Sequence, residues 1–419
     1  MANILTTGTR IQIATAASVT TTTNWSSVSV IPALMGSAVE PNTDSLTRET
    51  MNGSLMDCPN VAGNESTNVP IKLELGLVEG SKFTGHELYE QGLGAFSENT
   101  GKITDNTETG TVTESVIIPA VGDTITLDNQ NIVEDSVVIT TAGSILGILG
   151  TDYEVDYNDG IITILSNTGL TAGASATVDY SYITGVETTS IITNTAGTSF
   201  GLYKVGVPTT SPYYINVRET VDGAGDSNIE TISKGTVVDS ITFNLATGQI
   251  ATVDFSAKGT GYTLGSGSSV TIPTDSVSCE DGIFVVKNAV VNFGGPAEDK
   301  SLDVRDITIT VNNEVTERNA AGSDGISERI ITKKSIEVSF SMDVEDMSEF
   351  TAYQNNTGAS LFIQLENEQT NDIVAFYMPN LRRTQVSKSD DGNIIAQSLT
   401  LQAYNLNTKD DALYIAVQK

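Results

Sequence analysis

One histidine, one tryptophan and two cysteines are spread over 419 residues, and 21 lysines and arginines face 52 aspartates and glutamates. Each scarcity closes a class of function. A Ser/His/Asp or Cys/His centre would have to be built on His86, which has no partners at the fixed spacing such chemistry needs, so a structural role is expected for it. Cys58 and Cys279 are too few for a disulfide framework or a four-thiolate zinc site and read as free thiols of an intracellularly made protein. A formal net charge of −31 works against capture of nucleic-acid phosphates or anionic lipid. No window approaches the length of an apolar span, and the first residues lack a basic start followed by an apolar core, so no membrane segment or secretion signal is expected. Asp222-Gly-Ala-Gly-Asp226 and Asp390-Asp-Gly-Asn393 are rich in oxygen but lack the calcium-loop ligand pattern, and read as hairpin turns. The glycine-rich run 259–269 lacks the Gly-Lys-Ser/Thr ending of a phosphate loop. The expectation is a non-enzyme with no catalytic, metal-binding or cofactor-binding residues and no cofactor.

What is present is β-forming. Thr, Ser, Val, Ile, Asn and Gly dominate, charged residues are only 17%, and Leu- or Ala-rich helical windows are scarce, the profile of a mainly β protein. The chain also repeats itself. Val-Pro-Ile-Lys-Leu-Glu-Leu (69–75) runs into a helix-like stretch through Phe83, His86 and Tyr89 and closes on Gly94-Ala95. Lys-Ser-Ile-Glu-Val-Ser-Phe (334–340) runs through Asp346-Met-Ser-Glu-Phe-Thr-Ala-Tyr353 and closes on Gly358-Ala359, a shift of 265 residues for Ile71/Ile336. Upstream, Asp44 to Thr50 matches Asp306 to Asn312 at a shift of 262. Downstream, Tyr213 to Glu219 matches Leu361 to Asn367 at a shift of 148, and the strand at 249–255 matches the one near 395–401 at 145 to 146. The difference between 265 and 148 leaves 117 residues in the first copy that the second lacks, most simply an insertion.

The expected organisation is a first module split between 1–103 and 190–262, an inserted small β-sandwich at 104–189, a linker at 263–270 and a second module at 271–419. The insertion shows short period-two runs such as Tyr153-Glu-Val-Asp-Tyr and Ala176-Thr-Val-Asp-Tyr, with a hairpin signal at Asn158-Asp-Gly160. Polar runs from Asn52 to Asn68 and from Asn312 to Arg329 read as equivalent long loops that could reach a neighbouring subunit.

Each unit reads as an alternating strand, a long loop, a second strand, a short helix, another strand and a long C-terminal hairpin. This order, carried by Val69–Ala95 with Tyr213–Gly259 and by Asp306–Asn405, resembles the tube domain of the major tail proteins of long-tailed, siphovirus-like bacteriophages. The segment Asp239-Ser-Ile-Thr-Phe-Asn-Leu-Ala-Thr-Gly-Gln-Ile-Ala-Thr-Val-Asp-Phe-Ser-Ala-Lys-Gly259 is similar to their C-terminal hairpin. The resemblance implies a mainly β fold of two tandem tube-type β-sandwich domains, each with a short helix, plus an inserted Ig-like β-sandwich. It also implies six domains per ring, stacked rings that conduct double-stranded DNA during ejection, and a place in the virion tail after synthesis in the host cytoplasm. Partners so implied are further copies of the chain and the tail tip or initiator, tape-measure and terminator proteins. DNA would pass without specific binding.

With four inner strands per domain, about 4.7 Å apart and tilted near 45°, six domains give a backbone diameter of roughly 50 Å, whereas three give about 25 Å. A duplex about 20 Å wide passes only the first. Two domains per chain then mean three chains per ring, with the insertion projecting outward as a knob. Net negative walls would keep DNA sliding, and alternation puts Lys72, Glu74, Asp239, Asp254, Glu337 and Asp343 as candidates for the lumen. The competing readings are a surface or adhesin-type tandem β-sandwich protein and another virion part, such as a decoration, terminator or fibre protein.

Overall fold

The computed structural model describes residues 9–16, 18, 23–46, 61–78, 81–94, 96–100, 102–103, 109–129, 132, 136–141, 145–156, 160–166, 170–183, 192–193, 199–205, 214–222, 228–267, 270–273, 283–287, 289–294, 300–301, 305–319, 326–343, 348–367, 370–391, 394–405 and 412–419. Both cysteines, and the turn residues at 158–159 and 223–226, lie outside them. The fold is mainly β, with two α-helices among the described residues, α1 (His86–Leu93) and α2 (Ser348–Gln354). No helix of the described residues is long and apolar enough to cross a membrane.

One antiparallel sheet layer runs through both halves of the chain. Val61–Glu74 pairs with Thr252–Gly259, which pairs with the C-terminal part of Ile229–Ala246. That strand pairs in turn with Asp306–Asn319, from Ser240↔Asn312 to Ala246↔Asp306. Beyond it follow Ile326–Asp343, Ile394–Ala403 and the C-terminal part of Ile373–Asp391. The two halves use the same strand order. Glu40–Leu46, Val61–Glu74, Thr252–Gly259, Ile229–Ala246 and Tyr214–Val221 are neighbours in the first, and Asp306–Asn319, Ile326–Asp343, Ile394–Ala403, Ile373–Asp391 and Gly358–Glu366 in the second. Ile71 faces Phe255 and Ile336 faces Ala403, so the returning strand is offset by 148 residues, not the 145 to 146 read from its sequence.

The two longest switching strands belong to two layers each. Ile229–Ala246 pairs with Tyr214–Val221 through its first half, bulges between Val238 and Ser240, and joins the broad layer through its second. Ile373–Asp391 does the same with Gly358–Glu366 and Tyr414–Gln418, bulging between Arg383 and Gln385. Bulges bend a strand and raise its twist, which lets one strand turn the corner between packed layers. The volume between layers is a single apolar core shared by both halves. Phe243 of the first half meets Phe376 of the second edge-to-face at 5.1 Å, and Phe83, Tyr89 and Tyr203 stack beneath α1.

Several expectations change. The described parts of the runs expected as long loops are strand: Val61–Asn68 pairs with Glu40–Leu46, and Asn313–Asn319 pairs with Ile326–Lys334, while 52–60 and 320–325 lie outside the described residues. Their polarity comes from the exposure of most of their side chains, Thr67 and Asn313 being buried exceptions, and cross-strand pairs such as Arg318 Nη1–Glu328 at 2.9 Å and Arg329 Nη2–Glu317 at 2.7 Å supply the register. Gly261–Ser266, expected at the linker, is a strand along Ile229–Lys234. Gly259, just before it, packs so close to Ser233 and Thr67 that a Cβ would collide with both hydroxyls. Ser199–Lys204, expected with the first half, hydrogen-bonds onto the C-terminal strand Tyr414–Gln418 of the second, and Phe96–Thr100 pairs with the other edge of Ser199–Lys204.

Residues 109–183 form two sheets of their own. One has three strands (Thr124–Thr126, Ile161–Ile164, Tyr153–Asp156) and the other four (Ile145–Leu146, Val138–Thr141, Ser175–Ile183, Thr109–Ile117). Ile139, Ile162, Ile164, Leu170 and Val178 lie fully buried in a core separate from the main one.

Candidate functional site

The broad layer has two chemically opposite faces, because its rows of register partners keep one polarity from strand to strand. Leu73, Val253, Phe243, Ile309, Val338 and Leu401 are successive partners and all are 0% exposed. One residue along, Lys72, Asp254, Thr242, Thr310, Glu337, Gln402 and Arg382 form the next row on the opposite face. Glu74, Thr252, Asn244, Thr308, Ser339 and Thr400 form another beside it. Directly opposed residues in an antiparallel sheet point to the same side, so each row is continuous, the Lys72 row across seven strands and the other two across six.

Lys72, Glu74, Asp254 and Glu337 therefore share one face, spread over both halves. Lys72 Nζ lies 3.4 Å from Asp254, which also accepts from Asn244 Nδ2 at 2.8 Å. Asp239 sits at the bulge, 3.2 Å from Lys258 Nζ. Asp343 ends its strand opposite Ala396, and its side chain lies outside the described residues. Lys258 and Arg382 were not anticipated on this surface. Neither were the hydroxyl and amide groups of Thr242, Thr310, Thr308, Ser339, Thr400 and Gln402 that separate its charges, although the alternation in Asp306-Ile-Thr-Ile-Thr-Val-Asn already carries the signal. Cations and carboxylates interleave here, so the negative charge of the chain is not concentrated on this face.

The buried side explains how the face is held. Gly92 brings α1 against the layer so closely that a Cβ there would stand 2.5 Å from Ile241 Cδ1. In the second half the buried row ends on a charge. Arg383 Nε donates to Glu349 of α2 at 2.6 Å, Nη1 donates to the Thr357 carbonyl at 3.0 Å, and the guanidinium covers the Phe293 ring. His86 is tied to the aromatic cluster: Nδ1 lies 2.8 Å from the Tyr203 hydroxyl and Nε2 3.4 Å from Glu90. Burial lowers its pKa from the ordinary histidine value. Gly197-Thr-Ser-Phe-Gly201 has the spacing of a hydrolase nucleophile turn, but Ser199 opens the strand Ser199–Lys204, where that turn would lead directly into a helix. Among the described residues no group of three or more His, Cys, Asp or Glu could hold a metal ion.

A family model described as phage tail tube protein matches residues 6–403. The chain belongs to that family. As a tail tube protein it is a structural component of the virion tail that self-associates into a tube, a role that argues for a non-enzymatic protein. No curated protein matches it.

Proposed function

We propose that the polar face of the broad layer lines the lumen of the tail tube and that double-stranded DNA passes along it during ejection. The observation that carries this reading is the single layer, apolar on one side and hydroxyl-rich on the other, running through two halves of identical strand order. On this reading each half is one tube-type β-sandwich domain, the pairing of Ser240–Ala246 with Asp306–Asn312 joins the two, and residues 109–183 are an Ig-like outward decoration.

Glu40–Leu46 alongside Val61–Asn68 adds an eighth strand to the seven, so three chains supply 24 strands and a backbone diameter of roughly 50 Å at a tilt near 45°. The duplex is about 20 Å wide and clears such a wall with its side chains in place. Sliding is favoured by the chemistry of the surface. Lys72 and Lys258 are engaged by Asp254 and Asp239, and neutral Thr, Ser and Gln fill the intervals, so no cluster of free cations invites the counterion release that holds phosphate. Ring-to-ring stacking and contacts with tip, tape-measure and terminator proteins complete the proposed assembly, with synthesis in the host cytoplasm.

Electron microscopy of the concentrated protein tests the reading. Hollow striated cylinders with three knobs per ring are expected. Isolated monomers at every concentration, or six equal lobes per ring, would overturn it.

A further inference from the structure

Within the broad layer the halves are joined by a strand pairing only seven residues long, beside the shared apolar core and the pairing of Ser199–Lys204 with Tyr414–Gln418, and adjacent strands tolerate a range of twist from roughly −10 to −35°. Hydrogen bonds in the plane of a sheet set spacing and register but restrain rotation about the strand axis weakly. Contacts off that axis fix the angle: the shared core supplies packing without direction, and a polar contact beside the joint adds direction. Asn313, 4% exposed, donates through Nδ2 to the Val238 carbonyl of the neighbouring strand at 2.9 Å and to the Gly92 carbonyl of α1 at 3.1 Å. Lys334, opposite Asn313 in register, donates through Nζ to the Gly92 carbonyl at 2.7 Å and to Leu93 at 2.9 Å. Two side chains of the second half thus close the C-terminal carbonyls of the first half's helix, where a cation is favoured by the helix dipole and a lost partner leaves backbone acceptors bare.

The counterpart of Lys334 in the first half, at the offset of 265 residues, is Val69, and the residue against Val69 on the leading edge is Val39; both are buried and neither can donate to a carbonyl from its side chain. The last turn of α2 is closed instead by its own backbone, with the amides of Asn355, Thr357 and Asn356 donating to the Thr351, Ala352 and Tyr353 carbonyls, and the residues just after it are held by Arg382 Nη1 donating to the Asn356 carbonyl and Arg383 Nη1 to Thr357. The polar cap therefore belongs to the joint within the chain.

We infer that Asn313 and Lys334 are positioning residues that lock the angle between the two halves and so set the curvature with which the broad layer closes. The ring consequence rests on the tube reading above; the lock itself does not. Three chains close when each turns the wall by about 120°, four when each turns it by about 90°, so a freed joint admits more than one closure.

The test places spin labels at Thr263→Cys and Glu366→Cys, one in each half, in a Cys58→Ser/Cys279→Ser background. The distance distribution is measured on dilute, unassembled protein and then compared with ring images of unlabelled protein. Lys334→Met should broaden and shift the distance distribution, Asn313→Leu/Lys334→Met more so, and Lys334→Arg should restore the narrow one. Far-UV circular dichroism establishes that each variant is folded, and Lys334→Met serves if the double variant is not. Tubes of the double variant should show mixed diameters or unclosed spirals. An unchanged distance distribution in both Met variants overturns the lock. A broadened distribution from a protein whose parent never forms rings sustains the lock and removes the tube reading.

Discussion

Phe243→Ala tests whether the two halves are one cooperative body. The ring is 0% exposed and stands 6.1 Å from Tyr89 in the first half and 5.1 Å from Phe376 in the second, the latter at 72° between planes. Truncating a fully buried phenylalanine costs about 3–5 kcal/mol in transfer and cavity energy. The edge-to-face pair accounts for about 0.5–1.5 kcal/mol of interaction beyond area. The loss should fall on both halves together, since the cavity opens between them. Urea unfolding gives the total, and hydrogen exchange read by mass spectrometry gives its distribution. Peptides covering 252–259 and 373–382 should lose protection by the same factor. A loss under about 1 kcal/mol, or deprotection confined to 252–259, would refute the shared core.

Glu349→Leu or Arg383→Met alone should destabilise by about 3–5 kcal/mol, because each leaves a buried charge unpaired, while the double substitution should cost less than either, as a thermal-unfolding cycle would show. Lys72→Ala should change stability by no more than about 1 kcal/mol, since the pair with Asp254 is substantially exposed; a larger effect would mean that the face is buried in the isolated chain. Two half-buried groups give opposite pH responses in unfolding titrations. Burial depresses His86, so its contribution is present above the ordinary histidine pKa and is lost as pH falls through the folded value; His86→Phe should flatten that limb. Burial raises Glu219, which accepts from the Val39 amide at 2.7 Å, so its contribution is present below the ordinary carboxylate pKa and is lost as pH rises through the folded value; Glu219→Gln should be stabilising near pH 8. Thr242→Lys/Thr310→Lys/Gln402→Lys places three cations in one row of the polar face. Tubes should still assemble, but DNA release should slow and recover with added salt, and an unchanged release rate would argue that this face does not meet DNA.

The alternation in Ile307, Ile309 and Val311 against Thr308 and Thr310 made the two-faced layer legible, because period two is fixed by strand geometry whatever surrounds it. The same rule put Lys72, Glu74, Asp254 and Glu337 on one face. Bulges were not legible: Asp239 sits where one extra residue breaks the alternation, and no local residue announces it. The largely exposed arms at Val61–Ser66 and Glu314–Asn319 read as loops because strands with two wet faces lose the apolar period that marks a strand. The return of Ser199–Lys204 to the C-terminal strand is a long-range pairing, set by which edge is free after folding and not by its own sequence. Asn313 and Lys334 were likewise invisible, since their partners are backbone carbonyls 75 to 242 positions away.

Phe96–Thr100 and Ser199–Lys204 run antiparallel as neighbours, and Lys102–Ile103 meets Ile192–Thr193 just beyond them. The excursion between them leaves and re-enters the body through a double-stranded neck whose two ends stand about 5 Å apart. Any folded payload with adjacent termini matches that doorway, and a short turn could close it altogether. The body thus has a built-in port at which an inserted payload can be exchanged without redrawing the scaffold, and evolution and engineering alike can vary the one while the other stays fixed.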